Sequence, residues 1–285
     1  MSVGHTISSS RARPFLKWVG GKTKLLSRFG ELYPKNYNRY FEPFTGGGAV
    51  FFKLQPPKAF LNDINTTLIG AYKHIKDSPK ELITLLDKIE KTYLDLNETG
   101  RKEYFYDKRT YFNSLGDGNI QRTAYLIFLN KTCFNGMYRV NSKGEFNVPH
   151  GRYKNPTILD NENIYAVCEA LQNVKLTSLD FKHALKQAQK GDFIYFDPPY
   201  DPLNETSNFT SYSKDDFGRD DQVRLKETFE KLNQKGCKLM LSNSNTKFIN
   251  KLYKNYQIQT VKAARSINAK GNKRGKIKEV LVTNY

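Results

Sequence analysis

The chain has 285 residues, enough for one large domain or two small ones with a buried core. Its 46 Lys and Arg outnumber 28 Asp and Glu, and the resulting +18 is spread along the chain, which points to a polyanion as partner. The three cysteines are too few and too scattered for a disulfide framework, the four histidines share no metal-ligand spacing with them, and no apolar run reaches the roughly 18 residues of a membrane span, so the expectation is a reduced, cytoplasmic protein with no metal.

Residues 1–13 are polar and Ser-rich and read as a mobile tail. Residues 14–22 join a short apolar segment to Gly20-Gly21. There Trp18 offers a stacking face and Lys22 a cation, before a helix opening at 23. A phosphate-binding G-x-x-x-x-G-K-[ST] loop would need glycine at Leu16, so that reading fails. Residues 37–44 read as the first core strand, Thr45-Gly46-Gly47-Gly48 as the turn into a helix over 49–54, and 59–62 as a strand delivering Asp63 at its tip. In that arrangement a ligand lies against bare backbone at a helix N-terminus and the carboxylate takes a ribose hydroxyl pair. The glycines do not form G-x-G-x-x-G, which disfavours a nicotinamide cofactor and leaves another adenosine cofactor.

Helical periodicity covers 68–75, 79–93 and 102–112, with a more apolar helix over 122–130. Residues 131–154 then interleave basic and aromatic residues around Asn135-Gly136, a hairpin signal suited to gripping phosphates and stacking on bases. A strand over 173–178 carries Asp180-Phe181 at its end, and a Lys-rich helix over 183–190 leads back to a buried strand, 193–196. Pro198 and Pro199 forbid continuation of that strand, so it presents Asp197-Pro198-Pro199-Tyr200 at its carboxyl end, where open α/β sheets place their ligands. As a bare strand-ending turn the tetrapeptide would mean little. As a site it offers a carboxylate, a turn with acceptors but no N–H donors, and an aromatic face, which suits an exocyclic amino group on a flat base. Residues 201–212 read as a polar loop able to close over a substrate. Then follow a helix over 221–233, a strand over 238–242, a helix over 246–254, and strands 258–263 and 279–284 around a polar, basic DNA-side loop, 265–278.

From about residue 14 to the end the chain resembles the Dam family of DNA adenine-N6 methyltransferases, including the Gram-positive modification enzymes that methylate GATC. The resemblance is carried by residues 17–22, 41–48, Asp63, Asn135-Gly136 with 144–154, Asp180-Phe181, Asp197 to Tyr200 and Asn208-Phe209-Thr210, in the family's order. It implies a Rossmann-like S-adenosylmethionine-dependent methyltransferase sheet (14–66 and 159–285) with an inserted helical and hairpin target-recognition domain (67–158) behind the tail, 1–13. It implies S-adenosylmethionine bound by Trp18, Lys22, Phe44, Gly46, Gly48, Asp63, Asp180, Phe181 and Asp197. An adenine flipped from duplex DNA would be held by Asp197, Pro198, Pro199 and Tyr200. Lys17, Phe134, Asn135, Arg139 and Pro149 would contact DNA: Phe134 by insertion, Asn135 at the orphan thymine, Arg139 on guanine N7 and O6, and Pro149 on the thymine methyl. Phe134 stands where Tyr is often found and lacks its hydroxyl; Lys131 stands where Arg can occur, removing a bidentate phosphate contact.

Double-stranded DNA is the expected partner, a cognate restriction endonuclease can be encoded alongside, and monomeric action is the default expectation, since an asymmetric enzyme can methylate one strand of a palindrome per visit. Rival readings are methylation of cytosine N4, of an RNA adenine or of a protein glutamine, and a catalytically silent DNA-binding protein. Cytosine-N4 enzymes more often carry Ser, and glutamine enzymes Asn, at the position of Asp197, so Asp favours adenine.

Overall fold

The computed structural model describes residues 11–18, 20, 30, 32–203, 217–264 and 276–285. Among them seven strands build one sheet: β1 (Tyr40–Glu42), β2 (Ala59–Asn62), β3 (Val174–Thr177), β4 (Phe193–Phe196), β5 (Lys238–Ser244), β6 (Gln257–Ala264) and β7 (Lys276–Thr283). Their order is β3-β2-β1-β4-β5-β7-β6. The first five in that order run parallel, and β7 runs antiparallel to both β5 and β6.

A central parallel strand is covered on both faces and must be apolar throughout, with alternate residues entering opposite cores. That is the pattern here. Phe193 and Tyr195 of β4 enter one core with Tyr40, Met240 and Leu281, while Ile194 and Phe196 enter the other with Phe41, Leu241, Val280 and Val282. All four β4 residues are fully buried, each worth about 1.5–3 kcal/mol relative to exposure.

Helix α1 (Ala49–Leu54) links β1 to β2. After β2 come α2 (Thr66–Asp77), α3 (Pro79–Asp95), α4 (Glu98–Ser114), α5 (Ile120–Thr132) and α6 (Asn161–Leu171). Helix α7 (Phe181–Ala184) precedes β4, α8 (Arg219–Gln234) precedes β5, and α9 (Lys247–Leu252) precedes β6. Asparagine caps set three starts: the side chains of Asn65, Asn97 and Asn119 accept from the amides of Leu68, Gly100 and Gln121. The apolar faces of α2 to α6 share one continuous core with the sheet.

Several expectations from sequence need correcting. The helix expected over 183–190 is a single turn, α7. Asp192 takes the Gln189 amide, which a helix over 183–190 would give to Leu185, and the Leu185 carbonyl accepts from Ala188 instead. Asn135-Gly136 is not a two-residue hairpin turn: Phe134–Gly136 forms a short 3-10 turn with Asn135 at φ +58°, and the chain reverses at 141–144, where the Gly144 amide donates to the Asn141 carbonyl. Helix α6, capped by Asp160, was not read from the pattern at all. The stretch expected to be a mobile tail is already packed at its end, for Ala12 is buried and the Arg13 amide donates to Asn163. Residues 276–278, expected in a loop, belong to β7. Residues 1–10, Lys22, the helix opening at 23, Asn208-Phe209-Thr210 with most of the 201–212 loop, and residues 265–275 lie outside the described residues.

Candidate active site

From β1 the chain turns toward β2 and β3, and from β4 toward β5. The carboxyl ends of the neighbouring strands β1 and β4 therefore border the switch-point crevice where α/β sheets bind ligands. The segments that follow those two strand ends, Pro43 to Gly48 and Asp197 to Tyr200, therefore border that crevice.

At the β1 side, Gly46 has φ +49°, and a Cβ there would lie 2.9 Å from Trp18 Cδ1. Glycine thus permits both the left-handed turn and the close seat of the indole. Trp18 stacks its ring on Tyr138 (centroids 4.8 Å apart, 22° between planes), so the indole spans from the glycine turn to the segment after Asn135-Gly136. Gly48, at φ +66°, caps α1. The Asp63 carboxylate accepts from the amides of Gly46 (2.9 Å) and Asn65 (3.0 Å), which fixes it at the tip of β2. Burial raises its pKa while those two bonds pull the other way.

Asn62 organises the same rim. Its buried amide donates to the carbonyls of Pro43 (3.1 Å) and Leu179 (2.9 Å) and accepts from Thr177 Oγ1 (2.8 Å) and the Leu179 amide (2.9 Å), tying together the ends of three strands. Phe44 packs against Phe181, centroids 5.4 Å apart. Asp180 caps α7 through the Lys182 amide and accepts from Arg224 of α8 at 2.8 Å. Beside these carboxylates stand two apolar side chains that the sequence reading missed, Ile64 (58 % exposed) and Leu179 (46 % exposed). Their signal was position, each next to an acidic residue at a strand tip.

At the β4 side, Ser242 Oγ donates to Asp197 Oδ1 at 2.7 Å, and the Tyr195 hydroxyl lies 3.0 Å from Ser242 Oγ. Gln222 donates to the Pro199 carbonyl (2.8 Å); Asn243 in turn donates to Gln222 and accepts from the Asp201 amide. The Tyr200 hydroxyl donates to Glu279 Oε2 at 2.9 Å. Burial, then the charges of Asp197 and Glu279, hold the Tyr200 pKa well above the usual phenol range, so it remains a donor at neutral pH. Ser242, Asn243, Gln222 and Glu279 were also missed. The run Ser242-Asn243-Ser244, polar yet buried at the end of an apolar strand, was the available clue.

Of the residues expected to contact DNA, Lys17, Phe134 (45 % exposed), Arg139 and Pro149 are exposed and Asn135 is half-buried; Asn130 ties Lys17 to the turn that holds Phe134 and Asn135. The Phe134 amide donates to the Pro149 carbonyl (2.8 Å), and Arg139 Nε donates to Asn147 Oδ1 (2.8 Å). Burial lowers the pKa of the nearby Lys131. No cluster of three or more His, Cys, Asp or Glu able to hold a metal occurs among the described residues.

An open sheet of this order, with a glycine turn after β1, a carboxylate at the tip of β2 and Asp-Pro-Pro-Tyr at the tip of β4, defines a Rossmann-like methyltransferase. The family model for D12 class N6 adenine-specific DNA methyltransferases matches residues 18–267, and the chain belongs to that family. It is 48 % identical over 281 residues to the type II methyltransferase M1.LlaDCHI of Lactococcus lactis subsp. cremoris, covering 96 % of this chain and 95 % of that one. It is 49 % identical to the type II methyltransferase M.MjaIII of Methanocaldococcus jannaschii (96 % and 99 % covered) and 35 % identical to a DNA adenine methylase of Haemophilus influenzae (94 % and 92 % covered). Membership makes the chain an adenine-specific DNA methyltransferase and implies S-adenosylmethionine as its methyl donor and DNA as its substrate. No helix among the described residues is long and apolar enough to cross a membrane.

Proposed function

We propose that the chain methylates adenine N6 within GATC in double-stranded DNA, on a base flipped into the crevice at Asp197-Pro198-Pro199-Tyr200. The observation that carries this reading is the held carboxylate of Asp197 at the β4 tip, fixed by Ser242 beside Tyr200. An adenine amino group cannot be reached inside a stacked duplex, which supports extrusion of the base.

The rim of the crevice fits the adenosyl donor chemically: a glycine turn at a helix start, a fixed carboxylate at the tip of β2 for the ribose hydroxyls, and exposed Ile64 and Leu179 for a flat ring. Trp18, Lys22, Phe44, Gly46, Gly48, Asp63, Asp180, Phe181 and Asp197 are assigned to hold it. When bound, S-adenosylmethionine supplies an electrophilic methyl on a sulfonium. Asp197 accepts an N–H of the adenine amino group and the Pro198 carbonyl accepts the other, which withdraws the nitrogen lone pair from ring conjugation and aims it. Pro199 and Tyr200 wall the base, and Gln222 keeps the turn rigid through the Pro199 carbonyl. Asp197 need only take a proton from a nitrogen that methylation has made acidic, so positioning and electrostatics dominate.

Residues 67–158 act as the target-recognition domain, and 14–66 with 159–285 as the catalytic domain. Phe134 fills the vacated stack, Asn135 meets the orphan thymine, and Lys17, Arg139 and Pro149 read flanking pairs. The protein acts as a monomer in the cytoplasm, in keeping with cysteines that are all free and so suit a reducing compartment, and the type II names of two relatives fit a gene encoded beside a cognate restriction endonuclease. The test is Asp197→Ala, expected to lower methyl transfer about a hundredfold or more while leaving salt-sensitive DNA binding in place. Transfer at the wild-type rate would remove Asp197 from its role.

A further inference from the structure

The N-terminal segment is gripped by two buried asparagines, each reading both the N–H and the C=O of one residue. The Arg13 amide donates to Asn163 Oδ1 (3.0 Å), and Asn163 Nδ2 donates to the Arg13 carbonyl (3.1 Å). Four residues on, the Lys17 amide donates to Asn130 Oδ1 (2.8 Å), and Asn130 Nδ2 donates to the Lys17 carbonyl (2.9 Å). Asn130 does more, since its Nδ2 also donates to the Gly136 carbonyl at 3.0 Å. One fully buried amide therefore joins Lys17 to the turn Phe134–Gly136.

The side chains around this joint are closely fitted. A Cβ on Gly136 would run into Lys17 Cδ, and Lys17 Nζ stands 5.5 Å from the Tyr153 ring centre. Trp18, the next residue, stacks on Tyr138. Asn130 follows Leu126 to Leu129, all buried or nearly so, where an amide is costly to desolvate and an aliphatic side chain would serve the core better. Of the two residues the amide joins, Lys17 is exposed, and Gly136, itself buried, belongs to the turn that carries the exposed Phe134.

We propose that Asn130 is a positioning residue for DNA readout. It locks Lys17 to the Phe134–Gly136 turn, which ends three residues before Arg139, so that both ends of the recognised sequence are read, or misread, together. The inference rests on the assignment of Lys17 and Arg139 as DNA contacts, and the experiment separates the two. Methyl transfer by the full chain is measured on the preferred duplex and on duplexes altered at one base pair, for Lys17→Ala, Arg139→Ala and Asn130→Asp, with thermal midpoints recorded alongside.

Lys17→Ala and Arg139→Ala should each lose discrimination at one position. Asn130→Asp is isosteric and keeps the acceptor for the Lys17 amide but loses both donated bonds. It should lose discrimination at both positions, by roughly tenfold each. Wild-type ratios in Asn130→Asp, or equal slowing on every duplex, would overturn the proposal. Should Lys17→Ala and Arg139→Ala leave all ratios unchanged, the contact assignment itself falls, and the proposal with it. Gly136→Ala decides the matter if Asn130→Asp does not fold. It leaves Asn130 intact but, at φ +63°, strains the turn and drives a methyl against Lys17, so it should show the same paired loss, and unaltered ratios there would overturn the proposal.

Discussion

Asp197 is held before any substrate arrives. The Ser242 hydroxyl has one proton and gives it to Asp197 Oδ1 at 2.7 Å, while Tyr195, fully buried, completes the chain from behind. A carboxylate that had to find its rotamer during each turnover would lose part of the benefit of pre-arrangement, and small misplacements in a reacting constellation are expensive. Ser242→Ala should therefore lower kcat by roughly tenfold or more, with KM for S-adenosylmethionine and for DNA close to wild type, and Ser242→Thr should restore much of the loss. Initial rates at varied concentrations of both substrates check this; a change confined to KM would place Ser242 in binding instead. Residues of this kind explain why the site was only half legible. Asp197 was visible because two prolines mark the end of its strand, whereas Ser242 is 45 positions away and its role exists only through the pairing of β4 with β5.

Strand β1 shows how an element's geometry sets a titration. Tyr40 and Glu42 are two residues apart, hence on one face, and the Tyr40 hydroxyl donates to Glu42 Oε2 at 2.9 Å. Burial raises the Glu42 pKa well above 4.5, the Tyr40 bond opposes the shift, and the charge of Asp197 adds to it. A raised acid keeps its proton in the folded state when the unfolded chain has already lost it. Its contribution to stability is thus complete below 4.5 and is lost as pH rises through the higher folded value. Glu42→Gln keeps an acceptor for Tyr40 and cannot ionise. Its stability should match wild type near pH 4 and exceed it by about 1 kcal/mol or more near pH 7.5, as read from unfolding curves at both pH values; parallel profiles would contradict the assignment. The elements themselves were legible wherever local pattern decides, with α1, β2 and β4 found at their full extent. They were misread where a distant side chain intervenes, as Arg39 does in holding the Asp192 that takes the Gln189 amide, or where a buried amide such as Asn130 takes a turn's carbonyl.

For the whole molecule, an excess of +18 makes association with DNA strongly salt-dependent, and two sets of groups use that association differently. Asp197, Tyr200 and the rim around Asp63 lie at the carboxyl ends of the parallel strands, while Lys17, Phe134, Arg139 and Pro149, the residues proposed to contact DNA, are exposed on segments outside the sheet. The order of motifs along the chain made the family legible, but the joint between the two groups was not. It depends on contacts between residues 13–18 and residues more than a hundred positions later, which no local pattern records. The activity proposed for this crevice is transfer of a methyl group to adenine N6 within GATC. The most direct measurement is transfer of labelled methyl from S-adenosylmethionine to duplex oligonucleotides carrying GATC, with duplexes altered at one base or already N6-methylated as controls. Label on the unmodified GATC duplex alone is the predicted result; label distributed over altered sites, or none on any DNA, would contradict it.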